Sequence, residues 1–199
     1  MLFIEILIAI LIMVAFIHFQ ITKRKSHYET SLITNQINSS EEMKRTLAMG
    51  LYLRFKKENE ESPVRYSSLF LKEDPISFEH FVADVFKNSK GGSVWVSPCS
   101  GDFGVDFEHN TTNGLFLGQV KCYKDDLPFD PIALIHSNMI KKSAKGGYVI
   151  TTGSFSNAAI EYAEGLNIEL IDGVKLVELW LIALQNDEEE VKKLIPNFA

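Results

Sequence analysis

The sequence predicts a mixed α/β fold, a central sheet flanked by helices, together with one N-terminal transmembrane helix. Three observations carry that prediction. Leu2 to Phe19 is an almost unbroken run of aliphatic and aromatic residues with Glu5 as its one formal charge. From Asp74 onward, stretches of helical periodicity alternate with short β-prone runs. Their order is helix, three strands, then helix, strand, helix, strand, helix, which implies a mixed sheet covered on both faces.

The apolar run is long enough to span a bilayer, which takes about 20 mostly apolar residues. Lys23, Arg24 and Lys25 follow it at once. By the positive-inside tendency these cations stay cytoplasmic, so the N-terminus is expected outside and the bulk of the chain inside. A cleaved signal peptide would want cations before the run and small residues at a cleavage site, and neither is present. The core helix of a soluble protein is the other rival, but the run is apolar on every face. Residues 1–22 are therefore read as the anchor, with 2–21 in the membrane. Glu5 lies near the end of the span, where it can reach the interface.

Residues 23–72 read as a cytoplasmic linker and an amphipathic helix. The stretch 26–38 is polar and unpatterned. Ser39 with Glu42 makes a capping-box pattern, and Leu47, Leu51 and Phe55 follow at helical spacing, so a helix is expected over about 40–59. Glu60 to Pro63 ends it and 63–74 connects onward. Residues 73–186 form the main domain. Pro75 suits a first helical turn, and Phe78, Phe81, Val82, Val85 and Phe86 form an apolar stripe that stops at Gly91-Gly92. Strands are expected over Ser93–Ser97, Val105–Phe107 and Gly114–Tyr123, the last two turned by Asn113-Gly114. Helices over Pro131–Lys142, Ser156–Glu164 and Leu176–Leu184 alternate with strands Gly147–Thr151 and Ile168–Ile171. Residues 187–199 form an acidic tail.

The chain has 199 residues and a net charge of −6. Residues 1–72 hold ten Lys and Arg against seven Asp and Glu, a balance of +3; residues 73–199 hold ten against nineteen, a balance of −9. A passive DNA binder is usually basic, because phosphate neutralisation dominates affinity. An acidic enzyme can still bind DNA if metal titrates its carboxylates and its few lysines are grouped. Cys99 and Cys122 stand in no zinc-binding spacing and read as small apolar filler.

Chemistry concentrates at Gly104-Val105-Asp106 and Gln119-Val120-Lys121. Alternate residues of a strand share a face, so Gln119 and Lys121 point one way and Val120 the other. With Asp106 ending the preceding strand, a carboxylate, an amide oxygen and an ammonium converge at one edge of a hairpin. That set can hold a divalent cation and a water beside a phosphodiester, as in a metal-dependent nuclease.

Phe78 to Leu179 resembles the catalytic domain of Mrr-type restriction endonucleases, a branch of the PD-(D/E)xK nuclease superfamily. Phe78-Glu79 opens the first helix, and Ser100 through Asp106 (SGDFGVD) matches the family's glycine-rich turn into the acidic strand. Gln119-Val120-Lys121 matches the polar-x-Lys. Gly147 through Phe155 leads into Ala159 and Ala163, and Leu170-Ile171-Asp172-Gly173 precedes the last helix. The stretches stand in the family's order over about half the chain. The fold so implied is restriction-endonuclease-like, and the activity is Mg²⁺-dependent DNA cleavage with Mn²⁺ as a substitute. Asp106 and Gln119 would ligate the metal with the Val120 backbone carbonyl, and Lys121 would orient or deprotonate the attacking water. Glu79 matches a helix position that approaches the same site. Cys122 stands where the family often has Arg.

Each residue also has an ordinary structural reading. Asp106 could accept turn hydrogen bonds, Gln119 and Lys121 could form a solvated strand face, and Glu79 could lie on an exposed helix side. Asp102 is expected to shape its turn. Lys141, Lys142 and Lys145 are candidates for phosphate contacts, or cap a helix dipole. Ser154 and Ser156 read as a helix start, and no histidine is placed to make either a nucleophile. The expected protein is thus a membrane-anchored endonuclease acting on foreign or modified DNA. Two-fold association would let two sites cut both strands, with the 40–59 helix as candidate contact. The alternatives are a degenerate nuclease fold acting as a membrane-held nucleic-acid or protein adaptor, and a purely structural anchor subunit.

Overall fold

The computed structural model describes residues 2–57, 72–98 and 103–193, and the chain divides into two units, Met1–Ser39 and Ser40–Ala199. The first unit is a single helix, α1 (Leu2–Asn38). Its segment Ile4–Lys25, 22 residues with a mean hydropathy of 2.5, is long and apolar enough to cross a membrane. The stretch 26–38, expected as an irregular linker, continues the helix instead. It contains no glycine or proline, so nothing in it opposes propagation of a helix already started.

The second unit opens with α2 (Glu41–Phe55). Its N-cap is Ser40, whose Oγ accepts the Met43 N–H at 3.3 Å, whereas the expected cap Ser39 donates to the Gln36 carbonyl in the preceding turn. The helix ends at Phe55, short of the expected 59. Ala48, Leu51 and Phe55 are buried, the Phe55 ring packs at a tilt against Phe78 and Phe81, and Lys44 lies 2.5 Å from Glu178. This helix is therefore part of the domain. Most of the connecting segment 63–74 lies outside the described residues.

Next come α3 (Pro75–Lys90), β1 (Ser93–Val96), β2 (Phe107–Thr111), β3 (Gly114–Lys121), β4 (Asp126–Leu127) and α4 (Asp130–Lys142). After them run β5 (Gly146–Thr151), β6 (Ser154–Phe155), α5 (Asn157–Ala163), β7 (Ile168–Ile171) and α6 (Gly173–Lys193). Asp74 caps α3 by accepting the Ser77 N–H at 2.7 Å, and that bond holds its carboxyl below the ordinary carboxylate value. The main sheet has the order β1-β2-β3-β5-β7, antiparallel through β3 and parallel beyond it. β4 and β6 add a small parallel pair that the sequence reading missed, and it places Ser154 in a strand while Ser156 caps α5. The last helix begins at Gly173 and covers the expected tail as far as Lys193.

Residue alternation along β3 builds a core on each face. Phe116 joins Phe86, Phe107 and Tyr148 under α3, and burial pushes the Tyr148 hydroxyl up to about 12. His109 is buried in the same layer and donates Nε2–H to the Gly91 carbonyl at 2.7 Å, tying the end of α3 to β2. Leu117 points to the other face, into a cluster with Val105, Ile132, Ile135 and Val149 under α4. Each such side chain contributes about 1.5–3 kcal/mol on burial, so the two layers fix the ends of β2 and β3.

Candidate active site

Asp106 does not end a strand. It lies just before β2, which runs on from Phe107 to Thr111. The residue is nonetheless held on three sides. Its N–H donates to the Gly118 carbonyl at 2.8 Å, its carbonyl accepts the Ser97 N–H at 2.9 Å, and its Oδ2 accepts the Val120 N–H at 2.6 Å. The side chain thus replaces a ladder hydrogen bond where the backbone of β2 departs. Asp106 grips the two residues that flank Gln119, and it is 4 % exposed.

Gln119 is 3 % exposed, and its Oε1 is buried with no hydrogen-bond partner. A buried, unpaired amide oxygen costs about 1–3 kcal/mol, so a fold that keeps one calls for an explanation. The side chain lies on the α4 face. A Cβ added to Gly104 would sit 3.0 Å from Gln119 Nε2 and 2.2 Å from Leu134 Cδ2, and Gly104 has φ +81°. Glycine is required there twice over, by the left-handed backbone and by the close approach.

The Val120 N–H faces Asp106. In an extended strand the N–H and C=O of one residue point to the same side, so its carbonyl faces that side too. Lys121 is the last residue of β3, half-buried, in register with Thr151 of β5. Glu79 is half-buried on the second turn of α3, beside Phe78. Among the described residues no group of three or more His, Cys, Asp or Glu could hold a metal ion. The donor set here is instead one carboxylate with an amide and a peptide oxygen. It fits a hard divalent cation, which takes oxygen ligands and keeps several waters, and the unpartnered Oε1 is the atom such an ion would satisfy.

The remaining candidates separate clearly. Cys122 turns away toward α2, its Sγ 3.6 Å from the Tyr52 carbonyl, and burial pushes the thiol up. Lys142 is paired with Glu108 at 2.6 Å, and the Lys145 side chain lies against Gly114. Lys141 Nζ sits 4.7 Å from the centre of the Phe103 ring. Asp102 and Cys99 lie outside the described residues. Sequence reasoning missed Phe103 and Asn138; the latter is buried and donates to the carbonyls of Phe103 and Leu134 at 3.0 and 2.9 Å. A bulky aromatic before a glycine was the available signal.

A family model described as restriction endonuclease, the Mrr catalytic domain, matches residues 70–180. No curated protein matches the chain. Among solved structures the fold is similar to the DNA modification-dependent restriction endonuclease AspBHI, with 14% identity and a TM-score of 0.50 over 76% of this chain. It is also similar to the MspJI restriction endonuclease in complex with a 27-mer oligonucleotide, with 25% identity and a TM-score of 0.43 over 60% of the chain. The chain spans 40% and 30% of the lengths of those two enzymes.

Proposed function

Because the chain belongs to the restriction endonuclease family through its Mrr-type catalytic domain, we propose that it is a divalent-metal-dependent DNA endonuclease held at a membrane. The observation that supports this best is the buried, unpartnered Gln119 Oε1 set between the two residues that Asp106 holds. Asp106, Gln119 and the Val120 carbonyl would hold Mg²⁺, or Mn²⁺ in its place, with Glu79 assisting from α3. A bound ion would supply a water of lowered pKa and charge neutralisation at the phosphate. The chain's own groups do the rest. Lys121, at the strand end, would orient the attacking water and stabilise the negative charge that develops on the phosphate oxygens. Asp106, fixed by the Val120 N–H, keeps its carboxylate aimed without reorganisation during the reaction.

The span Ile4–Lys25 and the cations at its end support a single-pass anchor with the enzyme domain in the cytoplasm. Foreign or modified DNA is the proposed target, in a restriction role. The test is nicking of unmodified and methylated plasmid by the full-length chain in detergent, with Mg²⁺ or Mn²⁺ against EDTA. Cutting that needs metal and is lost in Asp106→Asn and Lys121→Ala supports the reading. A folded chain that binds either plasmid and cuts neither would move it to a membrane-held adaptor.

A further inference from the structure

We propose that Phe103 is a stacking platform for an unpaired nucleobase beside the scissile phosphate, with Lys141 alongside it for an adjoining phosphate. The inference rests on the nuclease reading above and adds to it the form of the substrate.

Three observations converge on this residue. Its ring is 68 % exposed, so it contributes little to the core. Its backbone has φ +50°, a left-handed conformation that a bulky side chain rarely adopts. It is held there from below by Asn138, whose buried amide donates to the Phe103 carbonyl at 3.0 Å. Asparagine or glycine would suit that backbone better, so folding does not account for a phenylalanine. The conformation does aim a flat apolar face outward at the edge of the site. The next residue, Gly104, abuts the Gln119 side chain, and Asp106 follows three positions on.

Lys141 Nζ lies 4.7 Å from the ring centre, so a cation stands over the ring while the side chain stays largely exposed. Among the described residues Lys141 forms no ion pair, unlike its neighbour Lys142. An aromatic face with an adjacent cation is the pairing by which proteins hold single-stranded nucleic acid, one stacking on a base while the other meets the backbone. Charge points the same way. At a net −6 the chain as a whole does not attract phosphates, so affinity leans on contacts that do not depend on net charge. In an intact duplex both faces of each base are already stacked. A ring in this position gains most from a strand that offers a free base, as in single-stranded, gapped or flipped-out DNA.

The test compares the full-length chain in detergent with Phe103→Leu, Phe103→Tyr and Phe103→Trp. Affinity is measured by fluorescence anisotropy on a single-stranded oligonucleotide and on its duplex, in a Lys121→Ala background, and cleavage is measured in the otherwise intact chain. Phe103→Leu should weaken single-strand binding by on the order of tenfold or more, since stacking on one base is worth that much. Its duplex binding should change less, and its cleavage should show a raised KM with kcat nearly kept. Tyr and Trp should restore affinity, which a purely structural role would not predict. If the parent binds and cuts DNA while Phe103→Leu binds the single strand equally tightly, the stacking inference fails and the nuclease reading stands. If the folded parent neither binds nor cuts either DNA, both fail together.

Discussion

Replacing Gln119 with methionine should make the protein more stable and inactive at once. The amide oxygen is buried and unpartnered, and such an atom costs about 1–3 kcal/mol. Methionine fills a similar volume without it, and volume-conserving swaps in a packed site are well tolerated. The metal-free variant should therefore gain roughly 1–2 kcal/mol, which at this chain length raises Tm by about 2–8 °C. The parent protein should recover the difference when a divalent cation is added, because a ligand that binds only the folded state stabilises it by about 2.7 kcal/mol at a hundred times its Kd. The variant should respond to the cation much less, since one of its oxygen donors is gone. Melting curves by circular dichroism in detergent, with EDTA and with Mg²⁺ or Mn²⁺, read both effects, and plasmid nicking reads the third. A Gln119→Met protein that melts lower than the parent in EDTA would count against an orphaned oxygen, because the amide would then be in structural use. So would a variant that keeps the parent's full response to metal.

Asp106→Asn and Asp106→Ala should both lose at least about a hundredfold in cleavage, as removal of a charged ligand or its support does. Only the alanine variant should also lose about 1–3 kcal/mol of stability, because it strands the buried Val120 N–H that the asparagine oxygen can still accept; melting curves separate the two. Gly104→Ala should cost about 2–4 kcal/mol, from the left-handed backbone and from a Cβ that would meet Leu134 and Gln119, and Leu134→Ala in the same chain should recover part of the Tm. Burial alone would raise the Glu169 carboxyl, but hydrogen bonds from Lys175 and Lys90 prevail and hold it below its ordinary 4.5. Its contribution is therefore fully present above that value and is lost as pH falls through the lower folded one, so Glu169→Gln should lower Tm at pH 7 and converge with the parent in acid. Removing residues 2–25 should shift the protein from a carbonate-resistant membrane fraction to the soluble fraction, and retention of the shortened chain in the membrane would count against the anchor.

Much of the architecture could be read from the sequence because its signals are local. The stripe Phe78 to Phe86 gave α3, Asn113-Gly114 gave the hairpin of β2 and β3, and alternation gave the two faces of the sheet. The misreadings fall where no local signal exists. The strand pair of β4 and β6 is made of two residues a side, too short for any periodicity, and it forms because parallel pairing brings Asp126 beside Ser154 across the chain. Residues 26–38 read as linker because their composition is polar, yet polarity does not stop a helix, and no breaker intervenes.

The candidate residues could be named from the sequence, but their geometry could not. Asp106 was expected at the end of a strand, with its carboxylate sharing an edge with Gln119 and Lys121. It stands instead at the entrance to β2, where the ladder opens and its carboxylate substitutes for the missing backbone acceptor of Val120. Spacing alone does not convey this, because the residue's backbone and side chain are bound to different neighbours along β3. The consequence is mechanical as well as chemical. The hydrogen bond that places the carboxylate lies on the same side of β3 as the Val120 carbonyl, so two of the three proposed oxygen donors share one contact. The third, Gln119, is positioned by Gly104, whose missing Cβ leaves room for the amide. A site assembled this way needs no cluster of carboxylates and adds little charge of its own. That suits a chain already at net −6, where a second buried acid beside Asp106 would raise the repulsion a metal-free fold must carry.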